Sequence, residues 1–168
     1  MLPQTLYQTA IKFATQKHVA INQKVPGTEL PYVVHLSNVA MEVLMANANT
    51  ENFNIAFAIQ VALLHDTIED ADTTFSEVEE NFGTEVANAV LALTKNESLP
   101  KEVQMMDSLN RIKKLPYEVW AVKMADRITN LQKPPIHWDD EKKKKYRAEA
   151  HVILEELKEG NVFLAEVS

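Results

Sequence analysis

Leu63-Leu64-His65-Asp66-Thr67-Ile68-Glu69-Asp70 decides how this chain is read. The twelve residues before His65, from Phe53 to Leu64, are nearly all apolar, with no Gly or Pro to break them. That is the pattern of a helix buried on all sides. Polar residues then close it. At about 100° per residue, His65 and Glu69 lie on nearly one line of the helix and Asp66 and Asp70 on an adjacent one, so all four can face one cleft. Buried carboxylates are costly unless compensated, and a divalent cation held by His and Asp would compensate them. A helix that simply ends in a solvated turn fits these residues equally well.

Length and composition narrow the classes. A chain of 168 residues is expected to form one domain, spanning 1–168, with a core that needs no staples. The absence of cysteine removes disulfide frameworks, thiolate zinc sites and Cys nucleophiles, and accords with a cytoplasmic protein. No apolar run approaches the ~18 residues of a membrane span. Met1-Leu2-Pro3-Gln4-Thr5 lacks the basic start of a signal peptide. The net charge of -7 argues against broad binding of nucleic acid or of anionic membranes, both of which need a basic face. An anionic small ligand, recruited by a metal and a few Lys or Arg, stays open, as does oligomerisation.

Three glycines and few alternating β-branched runs make the chain all-α, with seven or eight helices. The periodicity predicts a helix from Gln4 to about Asn22, with Leu6, Ala10, Phe13 and Ala14 inward, and a loop over 24–31 marked by two prolines and a glycine. A second helix from Tyr32 to Ala48 should bury Val39, Val43 and Leu44. Thr74-Phe75-Ser76-Glu77 has capping-box spacing and opens a short helix that Gly83 ends; Thr84 is expected to cap its successor, with Val86, Val90 and Leu93 inside. Pro100 and Pro116 each open a helix, the second stopped by Lys133-Pro134-Pro135. The last runs from about Asp139 to Glu159, its Lys142–Lys145 run a solvated face, with Gly160 just past its end.

Two further positions stand out. His18 sits beside Lys17, and His137 and His151 in a charged segment, so these three are expected at the surface. His35 instead follows Pro31-Tyr32-Val33-Val34 at the start of an apolar helix, where a lone imidazole needs a partner. Asp126 follows Trp120-Ala121-Val122-Lys123-Met124-Ala125, an inward stretch, with Asn130 one turn on. A satisfied core histidine and an ion pair with Lys123 or Arg127 are the plain alternatives.

Together, His35, His65, Asp66 and Asp126 form the ordered pattern H…HD…D. The chain here resembles the HD superfamily of metal-dependent phosphohydrolases, and within it the small alarmone hydrolases related to the hydrolase half of RelA/SpoT enzymes. The likeness is carried by Pro31-Tyr32-Val33-Val34-His35, by Ala62 to Asp70, by Thr73-Thr74 with Glu80-Asn81-Phe82-Gly83, and by Val122 to Arg127 with Asn130-Leu131. It implies an all-α HD fold in which His35, His65, Asp66 and Asp126 hold a divalent metal. That metal is Mn²⁺ in most such hydrolases, with Fe²⁺ or Zn²⁺ also compatible with two imidazoles and two carboxylates. It further implies that Glu69 and Asp70 position or deprotonate the attacking water. The implied substrate is guanosine tetra- or pentaphosphate, losing its 3′-pyrophosphate, with Asn130 touching the nucleotide.

Two departures bear on substrate. Relatives bracket the base with an Arg-Lys pair before the Pro-Tyr-x-x-His word, where this chain has Gln23-Lys24-Val25, and they carry Arg two residues after the matching Asn, where this chain has Gln132. Lys24 and Lys123 are therefore assigned to phosphate charge. No synthetase domain accompanies the hydrolase word, so the expected activity is hydrolysis alone. The competing readings are an HD phosphohydrolase on another nucleotide, such as an NADPH 2′-phosphatase or an adenosine 3′-pyrophosphate hydrolase, and a non-catalytic nucleotide-binding module. The Glu69-Asp70 pair speaks against the last, since a sensor needs only the ligands.

Overall fold

The computed structural model describes residues 1–132 and 137–168. In chain order the α-helices are α1 (Pro3–Ala20), α2 (Val33–Ala48), α3 (Ile55–Leu64), α4 (Thr67–Asp70), α5 (Phe75–Phe82), α6 (Thr84–Ala92), α7 (Lys101–Ile112), α8 (Tyr117–Leu131), α9 (Asp140–Leu157) and α10 (Val162–Val167). Among the described residues there is no strand beyond an isolated bridge between Lys24 and Pro31. No described helix is long and apolar enough to cross a membrane.

The centre of the molecule is α3. Every residue from Ala58 to Leu64 is buried, and α1, α2 and α8 pack around it. Each fully buried Val, Leu or Ile there contributes about 1.5–3 kcal/mol, which explains why an all-round apolar helix must sit inside. Asn54 starts it by accepting the Phe57 N–H at 3.1 Å. The neighbouring helices each give one face. On α2 that face is Leu36, Val39, Ala40, Val43 and Ala46, so Leu44 falls on the outer side and is 46% exposed, contrary to expectation. On α1 the face is Ala10, Ala14 and His18, at i, i+4 and i+8, which buries His18 instead of leaving it at the surface. His137 and His151 are exposed as expected.

Two elements exceed the seven or eight expected. The central helix does not run through Asp70: it stops at Leu64, Asp66 takes φ −102° and ψ 0°, and α4 restarts as a single turn. At the other end the 3₁₀ turn Lys158–Gly160 leads into α10, capped by Asn161, whose side chain accepts the Leu164 N–H at 3.0 Å. Gly160 lies so close to Trp120 that a Cβ there would come within 2.4 Å of the Trp120 Cβ, so only glycine lets this turn seat on α8.

The start signals hold in part. Thr74 and Glu77 form the full capping box. Gly83, not Thr84, is the N-cap of α6, and no side chain caps it. Pro100 and Pro116 occupy the N-cap positions of α7 and α8. The stop assigned to Lys133-Pro134-Pro135 lies outside the described residues.

Candidate metal centre

The break after Leu64 is what builds the site. It leaves His65 and Asp66 between two helices, pointing at the first turn of α2, which carries His35, and at the middle of α8, which carries Asp126. Each of the four offers one ligand atom, and those atoms all lie within 4.8 Å of one another. Asp126 Oδ1 is 2.9 Å from His35 Nε2 and 3.2 Å from His65 Nε2. Asp66 Oδ2 is 2.9 Å from His65 Nε2. The four therefore converge as the ordered pattern suggests.

The orientation of each group is set from behind. His65 Nδ1 lies 2.6 Å from the Ala62 carbonyl, which can only accept, so Nδ1 carries a proton and Nε2 faces the cluster. Tyr32 donates its hydroxyl to Asp66 Oδ2 at 2.5 Å. Its ring lies between those of His18 and His35, at centroid distances of 4.7 and 5.1 Å. Asn130 Nδ2 approaches Asp126 Oδ1 at 3.3 Å.

The electrostatics follow from burial opposed by close partners. Burial drives the His65 imidazolium down, yet the carboxylates of Asp66 and Asp126 outweigh it and hold the group well above its ordinary value. Burial raises Asp126, but the charge on His65 and the bond from His35 carry it well below the usual carboxylate range. Asp66 is lowered too, its burial outweighed by His65. Close contacts between the two imidazoles and the two carboxylates thus hold the cluster together. A divalent cation would satisfy the same atoms, and this donor set of two imidazoles and two carboxylates fits one.

Glu69 and Asp70 line the same polar cavity as His65 and Asp66, so the four face one cleft as expected even though α4 restarts the helix; a carboxylate oxygen of Glu69 and one of Asp70 lie within 4.8 Å of one from Asp66. Glu69 Oε1 accepts the Lys95 backbone N–H at 2.8 Å. The Asp70 carboxyl is pushed up to about 6, by burial first and then by the charges of Asp66 and Glu69. Gln23 reaches its Oδ2 at 3.4 Å, while the Gln23 Oε1 accepts from His18 Nδ1 at 2.6 Å. Burial keeps the His18 imidazolium below its ordinary value.

Two cavities meet here. A polar one of about 170 Å³ has Asp66, Asp126, Glu69 and Asp70 in its wall, faced by Lys95, Lys123 and Arg127. A larger one of about 420 Å³ is lined by Val25, His35, Trp138 and Tyr146, and Tyr32 and Asn130 border both. The Trp138 and Tyr146 rings meet edge-on at 5.0 Å. The Arg127 guanidinium lies 4.1 Å over the Tyr146 ring. Burial lifts the Tyr146 phenol to about 12. Of the expected substrate contacts, Lys123 and Asn130 line these cavities, whereas Lys24 lines neither. Sequence reasoning missed Tyr32, Lys95, Arg127, Trp138 and Tyr146. Two aromatics in an otherwise charged segment were the available signal for the last pair.

Fold and site define the class: an all-helical protein with a buried His₂Asp₂ cluster fit for a divalent metal, opening on a polar cavity. The HD domain family matches residues 10–158. The chain is 33% identical over 161 residues to the guanosine-3′,5′-bis(diphosphate) 3′-pyrophosphohydrolase MESH1 of Danio rerio, covering 93% of this chain and 86% of that one. It is likewise 33% identical to the protein of that name from Homo sapiens, over 94% of this chain and 87% of the relative. A solved structure described as a metazoan ortholog of SpoT that hydrolyzes ppGpp superposes with a TM-score of 0.82 at 28% identity, covering 99% of this chain and 93% of that one. The chain belongs to the HD-domain family and, within it, to the small alarmone hydrolases of RelA/SpoT type; it is a metal-dependent phosphohydrolase.

Proposed function

We propose that this protein is a single-domain 3′-pyrophosphohydrolase of guanosine tetra- and pentaphosphate. The observation that carries the proposal is the convergence of His35, His65, Asp66 and Asp126 at the junction of an anion-sized cavity rimmed by three cations and a larger aromatic cavity. In this reading those four residues hold the ion, and their borderline-to-hard donors suit Mn²⁺, with Fe²⁺ or Zn²⁺ also compatible. A divalent ion so held lowers the pKa of water and withdraws charge from a phosphate oxygen.

The chain's own residues do the rest. Glu69 and Asp70 orient the attacking water and take its proton. Lys95, Lys123 and Arg127 offset the charge of the pyrophosphate in the small cavity. Asn130, on the border, contacts the sugar side of the nucleotide, and the rings of Trp138 and Tyr146 offer faces on which a base can stack. The scissile phosphate then lies between the Asp66–Asp126 wall and the cations, with the nucleoside in the larger cavity.

The test is a panel of nucleotides offered to the Mn²⁺-reconstituted protein, with pyrophosphate and orthophosphate release scored separately. Pyrophosphate release from guanosine 3′-pyrophosphates is expected. Orthophosphate release from NADPH at a higher specificity constant would replace the substrate while keeping the site, and binding without turnover would replace the enzyme with a sensor.

A further inference from the structure

Glu69 does not stand free in its cavity. The Lys95 N–H that reaches its Oε1 at 2.8 Å belongs to the turn that leaves α6, and a backbone donor aims well only while its turn is held. The last carbonyls of a helix have no partners within it. Here the Leu91 carbonyl accepts the Thr94 N–H at 3.0 Å, and α7 supplies further donors. Arg111 donates from Nη1 to the Leu91 carbonyl at 2.8 Å and from Nη2 to the Thr94 carbonyl at 2.7 Å, and its Nε is anchored on Asp107 Oδ2 at 3.0 Å. Ser108 donates to the Ala92 carbonyl between them at 2.6 Å. The planar guanidinium thus spans the turn and holds the carbonyl of the Thr94–Lys95 peptide whose N–H binds Glu69.

We propose that Arg111 is a positioning residue for Glu69: by clamping the end of α6 from α7, it fixes the Lys95 N–H that holds the Glu69 carboxylate beside Asp66 and Asp70. The inference rests on the role given to Glu69 above. A cap that merely stabilised the helix end would change melting temperature without changing turnover per folded molecule. A positioning role makes a different demand. Displacing a reacting group by about an ångström costs up to roughly a hundredfold in rate, so loss of the clamp should appear in kcat, with KM and metal affinity kept.

Three variants of the full chain, Glu69→Gln, Arg111→Met and the pair together, are loaded with Mn²⁺ and assayed on guanosine tetraphosphate. Metal affinity is followed by calorimetry, and amide exchange at Lys95 is followed in the metal-free protein. Glu69→Gln should lose about 10²-fold in kcat, as for the removal of a general base. Arg111→Met should lose about tenfold or more in kcat and speed Lys95 exchange by a similar factor, and should cost little further in the Glu69→Gln background, because both act through one carboxylate. Arg111→Lys keeps charge and stem but cannot hold two carbonyls in one plane, so it should not restore the rate; it carries the same comparison if Arg111→Met does not fold. Losses that multiply in the double variant, or a folded Arg111 variant with parental kcat or parental Lys95 exchange, overturn the proposal alone. Full activity in Glu69→Gln removes the role of Glu69 and the inference with it.

Discussion

Replacing Tyr32 by Phe tests whether the metal centre is held from behind. The substitution deletes one atom, the hydroxyl that donates to Asp66 Oδ2 at 2.5 Å, and keeps the ring seated between His18 and His35. A hydrogen bond to a charged group contributes about 1.5–3 kcal/mol. At about 1.4 kcal/mol per decade, that is roughly a 10- to 100-fold loss, the range in which outer partners of metal ligands generally act. Mn²⁺ titrated calorimetrically into Tyr32→Phe should therefore bind about 10- to 100-fold more weakly than to the parent. At saturating Mn²⁺ the rate should return close to the parental value, because Tyr32 orients a ligand and takes no proton in the reaction. The stacking survives, but the bond to buried Asp66 is lost from the metal-free protein too, so its melting temperature should fall by several degrees. A metal affinity within about twofold of the parent would mean that Asp66 is already fixed by its helix junction and that the Tyr32 bond does not act on the centre. A rate that excess Mn²⁺ cannot restore would place Tyr32 among the groups that touch the reaction.

Asp66→Asn removes a charged ligand, so Mn²⁺ affinity by calorimetry should fall by at least about 10²-fold and turnover with it; parental binding would show the ligand assignment to be wrong. Asp70 has the opposite character. Its carboxyl is pushed up to about 6 in the folded chain from an ordinary 3.8, so the folded state holds that proton more tightly than the unfolded one. Its ionised form opposes folding above pH about 6, and the opposition fades as pH falls toward the unfolded value. Asp70→Asn should accordingly raise the melting temperature of the metal-free protein at pH 8 and lose that advantage near pH 4, while abolishing rapid turnover; an equal gain at both pH values would show that the carboxyl is not perturbed. Base selection should be loose: Lys24 lines neither cavity, and the aromatic faces of Trp138 and Tyr146 accept any base. Guanosine and adenosine 3′-pyrophosphates should be cleaved with specificity constants within about tenfold of each other, and a guanine preference of about a thousandfold would show that other groups read the base.

The parts of this protein written in the sequence alone are those that depend on neighbours a few residues apart. Scarce glycine, helical periodicity and proline at helix starts make the chain all-α; Thr74 and Glu77 form their capping box within four residues. The all-round apolar run of α3 announces the buried centre. His35, His65, Asp66 and Asp126 are legible because polar residues in apolar stretches need partners, and the ordered words that hold them mark the family. The i, i+4, i+8 spacing of Ala10, Ala14 and His18 puts the imidazole on the buried face, which the surface reading of His18 from its neighbour Lys17 overlooked.

What the tertiary structure decided is where those residues point. No Gly or Pro marks the break between Leu64 and Thr67, yet His65 and Asp66 fall in it and meet His35 of α2 and Asp126 of α8. Glu69 is then held by a peptide N–H 26 residues away, Asp66 by a phenol 34 residues away, and Asp126 by His35 across 91 residues. Local periodicity carries no information about such pairs. They arise when buried faces of α1, α2, α3 and α8 close on one another, and burial then makes each polar group find the one partner within reach.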